Sequence, residues 1–115
     1  MSPLPNRRPT ETMTIEHLGE NYHVSVGFYP DTMTVAEVWA RGPKPGSDAW
    51  ALLQDVAHSM SKEIQAGATP EKIAGRAMRG ANGEPLSVYG ILADAMRRAT
   101  VFSPHRAAHH TMGDS

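Results

Sequence analysis

The alternation of apolar and polar positions is sharpest over Tyr22, Val24, Val26 and Phe28, which are separated by His23, Ser25 and Gly27. A period of two puts one set on each face of an extended chain and predicts a half-buried β-strand over 22–29. Met13, Ile15 and His17 alternate in the same way with Thr12, Thr14 and Glu16, so another strand is expected over 12–18. Gly19-Glu20-Asn21 supplies a short hairpin loop between the two, and Pro30-Asp31-Thr32 a second turn. A third strand is expected over 33–40, with Val35, Val38 and Trp39. Val35 and Val38 fall on opposite faces of a regular strand, so a bulge or burial of both faces is expected there.

The period then changes. Arg41-Gly42-Pro43-Lys44-Pro45-Gly46 holds two prolines and two glycines and cannot continue a central strand. Ser47 can cap a helix, with Asp48 favourable in its first turn. Trp50, Leu53, Val56, Ala57, Met60 and Ile64 recur at helical spacing, predicting a helix over 47–66 that Gly67 stops. Thr69 and Pro70 open a second helix over 70–79, with Ile73, Ala74, Ala77 and Met78 as its apolar stripe. Pro85 and Ser87 introduce a third over 86–99, with the stripe Val88, Ile91, Leu92, Ala95, Met96 and Ala99. Asp94 and Arg98 are spaced to pair across one turn of it. The expected fold is α+β: a three-stranded antiparallel β-meander followed by three α-helices packed on one face.

Composition narrows the class. At 115 residues, 40% apolar and 20% charged, the chain suits one globular domain, expected over 11–101. Residues 1–10 and 102–115 lack periodicity and are expected to be flexible tails. No internal repeat is present. There is no cysteine, which excludes disulfides, thiolate zinc sites, iron–sulfur clusters and cysteine nucleophiles. The net charge of -1 gives no bulk attraction to nucleic acid or to a membrane surface. No apolar run spans a bilayer and no signal-peptide core is visible, so a cytoplasmic location is expected.

The candidate chemistry is local. Arg41 and Lys44 flank glycines just ahead of a helix start, where free amides favour an anion. Arg41, Lys44, Gly46 and Ser47 are therefore the candidate ligand site, for a phosphate or a nucleotide. The order of a P-loop is missing, and the same residues also suit a proline-stiffened connection. His58 lies near Asp55 and Ser59 in sequence, but helix neighbours point in different directions, so no catalytic residue is assigned. His105, His109 and His110 sit in the C-terminal tail and are not assigned as a metal site. Arg76, Arg79, Arg97 and Arg98 read as a solvated basic surface. Met60, Met78 and Met96 read as core, and Trp39 and Trp50 as anchors between the sheet and the main helix.

The stretch from Tyr22 to Ala99 resembles the TSCPD domain found in class II, adenosylcobalamin-dependent ribonucleotide reductases and in stand-alone bacterial proteins. The residues that carry the resemblance are the strand end Ala36-Glu37-Val38-Trp39, Gly46-Ser47, the helix from Leu52 to Gly67, Thr69-Pro70-Glu71-Lys72-Ile73, and the segment from Gly83 to Leu92. The family takes its name from a Thr-Ser-Cys-Pro-Asp stretch that this chain lacks, and a reductase's catalytic barrel is missing too. Ribonucleotide reduction needs a thiyl radical and reducing thiols, so the resemblance implies a relative of an accessory domain.

Two functions of different classes follow. The first is a non-catalytic accessory or interaction module that binds a protein partner or a nucleotide. The second is a small enzyme using histidines and carboxylates. No cofactor, membrane or nucleic-acid partner is expected, and a homo-oligomer remains open.

Overall fold

The computed structural model describes residues 9–42 and 44–101. Residues 1–8 and 102–115, including His105, His109 and His110, lie outside the described part, as do the tails expected there. Thr10, expected in a tail, opens the first strand.

Three strands form an antiparallel sheet in the order β1 (Thr10–His17), β2 (Glu20–Phe28) and β3 (Val35–Arg41). Three helices follow: α1 (Asp48–Gln65), α2 (Pro70–Ala74) and α3 (Val88–Val101). The α+β architecture is the one the periodicities predict.

The first hairpin is tighter than expected. His17 pairs with Glu20, so the loop is Leu18-Gly19 and both Glu20 and Asn21 belong to β2. Both loop residues have positive φ, 53° at Leu18 and 80° at Gly19, as in the primed turns whose twist matches the flanking strands. Leu18 is 87% exposed, so no burial offsets its left-handed backbone. Leu18→Asn is expected to stabilise the domain by about 0.5–1 kcal/mol, measured as a higher urea midpoint at constant slope.

β2 turns Val24, Val26 and Phe28 toward the helices, all buried. In β3 the register shifts between Gly27 and Phe28: Gly27 faces Glu37 but Phe28 faces Val35. Ala36 is the extra residue of the resulting bulge. The bulge lets Val35 and Val38 both reach the core, which the parity of their positions requires.

α1 starts where Ser47 accepts a hydrogen bond from the Trp50 amide at 3.1 Å. It ends in a Schellman motif, with Ala68 N–H on the Glu63 carbonyl, Gly67 N–H on the Ile64 carbonyl and Gly67 at φ 113°. Leu53, Ala57, Met60 and Ile64 are its buried stripe. α3 lies beneath the sheet with Ile91, Leu92, Ala95, Met96 and Ala99 buried.

α2 stops at Ala74, five residues short of the expected end. Gly75 is a poor helix former, and the chain gains more from a bridge between Arg79 and Pro85, with Leu86 N–H bonded to the Met78 carbonyl. Met78 is consequently 71% exposed instead of joining Met60 and Met96 in the core. Arg79 forms the bridge's anchor. Its guanidinium donates to both Asp94 carboxylate oxygens, at 2.9 and 2.7 Å, and to the carbonyls of Ala74 and Gly83. Asp94 also approaches Arg97 at 3.5 Å, so it pairs with Arg79 and Arg97 in place of the expected Arg98.

Candidate functional site

β3 is an edge strand, and α1 runs along its outer side. A polar stripe on α1 made of Gln54, His58, Ser61 and Gln65 lies one position behind the buried stripe. Three of its members occupy the main chain of β3. The Ser61 hydroxyl accepts from Val38 N–H and donates to the Val38 carbonyl, each at 2.9 Å. Gln54 Nε2 donates to the Ala40 carbonyl at 2.8 Å and Gln65 Nε2 to the Ala36 carbonyl at 3.1 Å. These side chains take the place of a fourth strand.

The fourth member, His58, is exposed and lines an open groove of about 460 Å³ with Glu37, Trp39, Ser61 and Lys62. A second groove, of about 600 Å³, lies on the other side of Trp39 and is lined by His23, Arg41, Trp50 and Gln54 among others. Trp39 and Gln54 border both. Trp39 therefore does not anchor the sheet to α1. Val38 and Ala40 on either side of it face the core, so strand alternation turns Trp39 outward, and it is 38% exposed. Gly27 makes room for this arrangement: a Cβ there would meet Glu37 Cγ at 3.0 Å and Trp39 Cζ3 at 3.4 Å. The rest of this sheet face is polar, with Thr12 bonded to Ser25 at 2.8 Å and Thr14 to the His23 ring at 3.1 Å.

The four residues of the expected ligand site are spread out. Arg41, the last residue of β3, is exposed and borders the groove with His23 and Trp39. Lys44 lines a separate, small cleft of about 70 Å³ with Glu20, Tyr22 and Ser47. Gly46 has φ 85°. The Ser47 hydroxyl is engaged at both ends, donating to the Lys44 carbonyl at 2.8 Å while capping α1.

The histidine and its sequence neighbours also separate. Asp55 and Ser59 line a cleft with Val56 and Tyr89, whereas His58 faces the groove at β3. The arginines are largely committed to acids. Arg76 pairs with Glu63 at 2.5 Å, and this hydrogen bond raises its pKa above the ordinary value. The hydrogen bond to Asp94 does the same for Arg79. Among the described residues, no group of three His, Asp or Glu side chains is placed to hold a metal ion. No described helix is long and apolar enough to cross a membrane.

Sequence reasoning missed the Trp39 face and the polar stripe of α1. Both had a signal: Trp39 shares parity with Arg41 and opposes Val38, and Gln54, Ser61 and Gln65 recur at helical spacing beside the apolar stripe. The architecture is that of a small α+β domain with one helix-covered and one open sheet face. In comparisons with known proteins it matches no family model, no curated protein and no solved structure.

Proposed function

We propose that the chain is a non-catalytic interaction module of the cytoplasm that binds an extended segment of a protein partner across Trp39. The observation that carries this reading is the exposure of Trp39 between two open grooves. An aromatic ring with polar neighbours on both sides is the usual composition of an interface anchor. The grooves carry both signs of charge, with Glu37 against Lys62 in one and Arg41 in the other. That mixture suits a peptide with its own mixed charges better than a polyanion. The grooves are open, unlike the enclosed pocket expected for a small substrate. The resemblance to the TSCPD accessory domain supports the same class of function, and a nucleotide is the other ligand, suggested by Arg41, Lys44 and the glycines before α1.

The experiment is capture from the native host with tagged wild-type, Trp39→Ala and Leu52→Ala chains, read by mass spectrometry after thermal melts show all three folded. A partner held by wild type and Leu52→Ala but lost from Trp39→Ala is expected. Leu52 is exposed on α1 and lines neither groove, so it controls for general stickiness. Equal capture by all three would reject the Trp39 site. A parallel titration with a nucleoside triphosphate is expected to leave the amide NMR signals of Gly46 to Ala49 in place. Saturable shifts there would move the function to the loop.

A further inference from the structure

The two edges of the sheet are treated oppositely. On β3, Ser61 binds both the N–H and the carbonyl of Val38, and Gln65 and Gln54 donate to the carbonyls of Ala36 and Ala40. β1 has no such cover among the described residues. Its hairpin closes at His17↔Glu20, and bonded pairs alternate along an antiparallel ladder from the closing pair. The odd-numbered residues of β1 therefore exchange main-chain bonds with β2. The Phe28 N–H to Pro9 carbonyl bond, at 2.9 Å, continues that series. Thr12, Thr14 and Glu16 then turn their N–H and C=O groups away from the sheet.

Natural edge strands of this length usually carry a lysine, a proline, a bulge or a covering element to prevent pairing. β1 reads Thr-Glu-Thr-Met-Thr-Ile-Glu-His, with no lysine, no proline after Pro9, an uninterrupted register with β2 and no covering element among the described residues; its charges are Glu11 and Glu16. We infer that β1 pairs antiparallel with β1 of a second copy, about a two-fold axis through Thr14. The side chains select that register. With Thr14 opposite Thr14 of the other copy, Thr12 faces Glu16, Met13 faces Ile15 and Glu11 faces His17. The bonded pairs fall on the even-numbered residues, whose main-chain groups point outward. The apolar pair falls on the helix side, where Met13 and Ile15 are only half-buried in one copy and pack at the margin of the core. Each carboxylate meets a group able to donate, an imidazole at one position and a hydroxyl at the other. A shift by two residues, placing Met13 on the axis, would instead set Glu11 against Ile15. Pairing this way builds a six-stranded sheet and leaves both Trp39 grooves free at its outer ends, so it is independent of the partner site proposed above.

The natural chain has no cysteine, so single thiols report the register directly. Thr14→Cys is expected to form a disulfide-linked dimer under mild oxidation, because only residue 14 meets its own copy. Thr12→Cys and Glu16→Cys are each expected to stay monomeric alone and to crosslink when mixed, because 12 faces 16. In sedimentation velocity the wild-type chain is expected to shift from monomer to dimer as concentration rises. Thr14→Pro removes an outward N–H and no bond of the β1–β2 ladder, so it is expected to remain folded and to lose that shift. Thr14→Lys puts like charges on the axis and is expected to lose it as well, should the proline variant unfold. A wild-type chain that stays monomeric throughout the series, or crosslinking as efficient at 12 alone as at 14, would overturn the pairing.

Discussion

Gly90→Ala is expected to lower the unfolding free energy by about 1–2 kcal/mol, although alanine is the better helix former by about 1 kcal/mol. Gly90 is buried in the first turn of α3. A Cβ there would lie 2.7 Å from Pro85 Cβ and 3.4 Å from Ala77 Cβ. The first distance is well inside van der Waals contact, and a proline ring cannot swing aside. Pro85 is also tied by its bridge to Arg79, which Asp94 of α3 holds in turn. The added methyl must therefore push α3 away from the 79–85 bridge or break it. Gly90→Val is expected to be worse, since it adds volume and a β-branched side chain. Chemical denaturation with circular dichroism at matched slope checks both; a Gly90→Ala chain more stable than wild type would show that the bridge yields freely.

Leu92→Ala is expected to be the most damaging of the simple truncations, at about 2–5 kcal/mol. Leu92 is fully buried on α3, a helix on which Ile91, Ala93, Ala95 and Met96 are buried too. The sheet above is fixed by its ladders, which limits how far the core can close on the space that is lost. A domain of this size has a total stability of about 5–15 kcal/mol, so the change removes a large share of it. A fall in melting temperature of about 4–8 °C per kcal/mol is expected by calorimetry. A change below about 1 kcal/mol would mean that the core around α3 collapses onto the cavity.

Much of this fold is legible in the sequence because its signals are local. The alternation in β2, the helical recurrence in α1 and Gly67 after it each act within a few residues. The parity conflict between Val35 and Val38 foretells the bulge for the same reason. What is not legible depends on distant partners. The end of α2 is decided by the bridge between Arg79 and Pro85 and by Asp94, which is fifteen residues from Arg79. The preceding stripe of Ala77 and Met78 gives no hint of it. The candidate site shows the same limit: Arg41 and Lys44 are three residues apart, but the strand ends between them, and they border different clefts. Trp39 is the opposite case, since strand parity alone turns it away from the core.

The side chains that seal β3 also set an upper bound on assembly. A sheet that can accept a neighbour on both edges adds chains without end, and the product is a fibre. Here Ser61, Gln54 and Gln65 bind four main-chain groups along the β3 edge within the monomer. Among the described residues the other edge of the sheet is β1, and the proposed two-fold contact would consume it. Under the proposed pairing the chain would carry its own chain terminator, and growth would stop at two. Because the Ser61 hydroxyl serves both the N–H and the carbonyl of Val38, Ser61→Ala would release both groups at once and open the middle of that edge, while Gln54 and Gln65 still hold the carbonyls of Ala40 and Ala36.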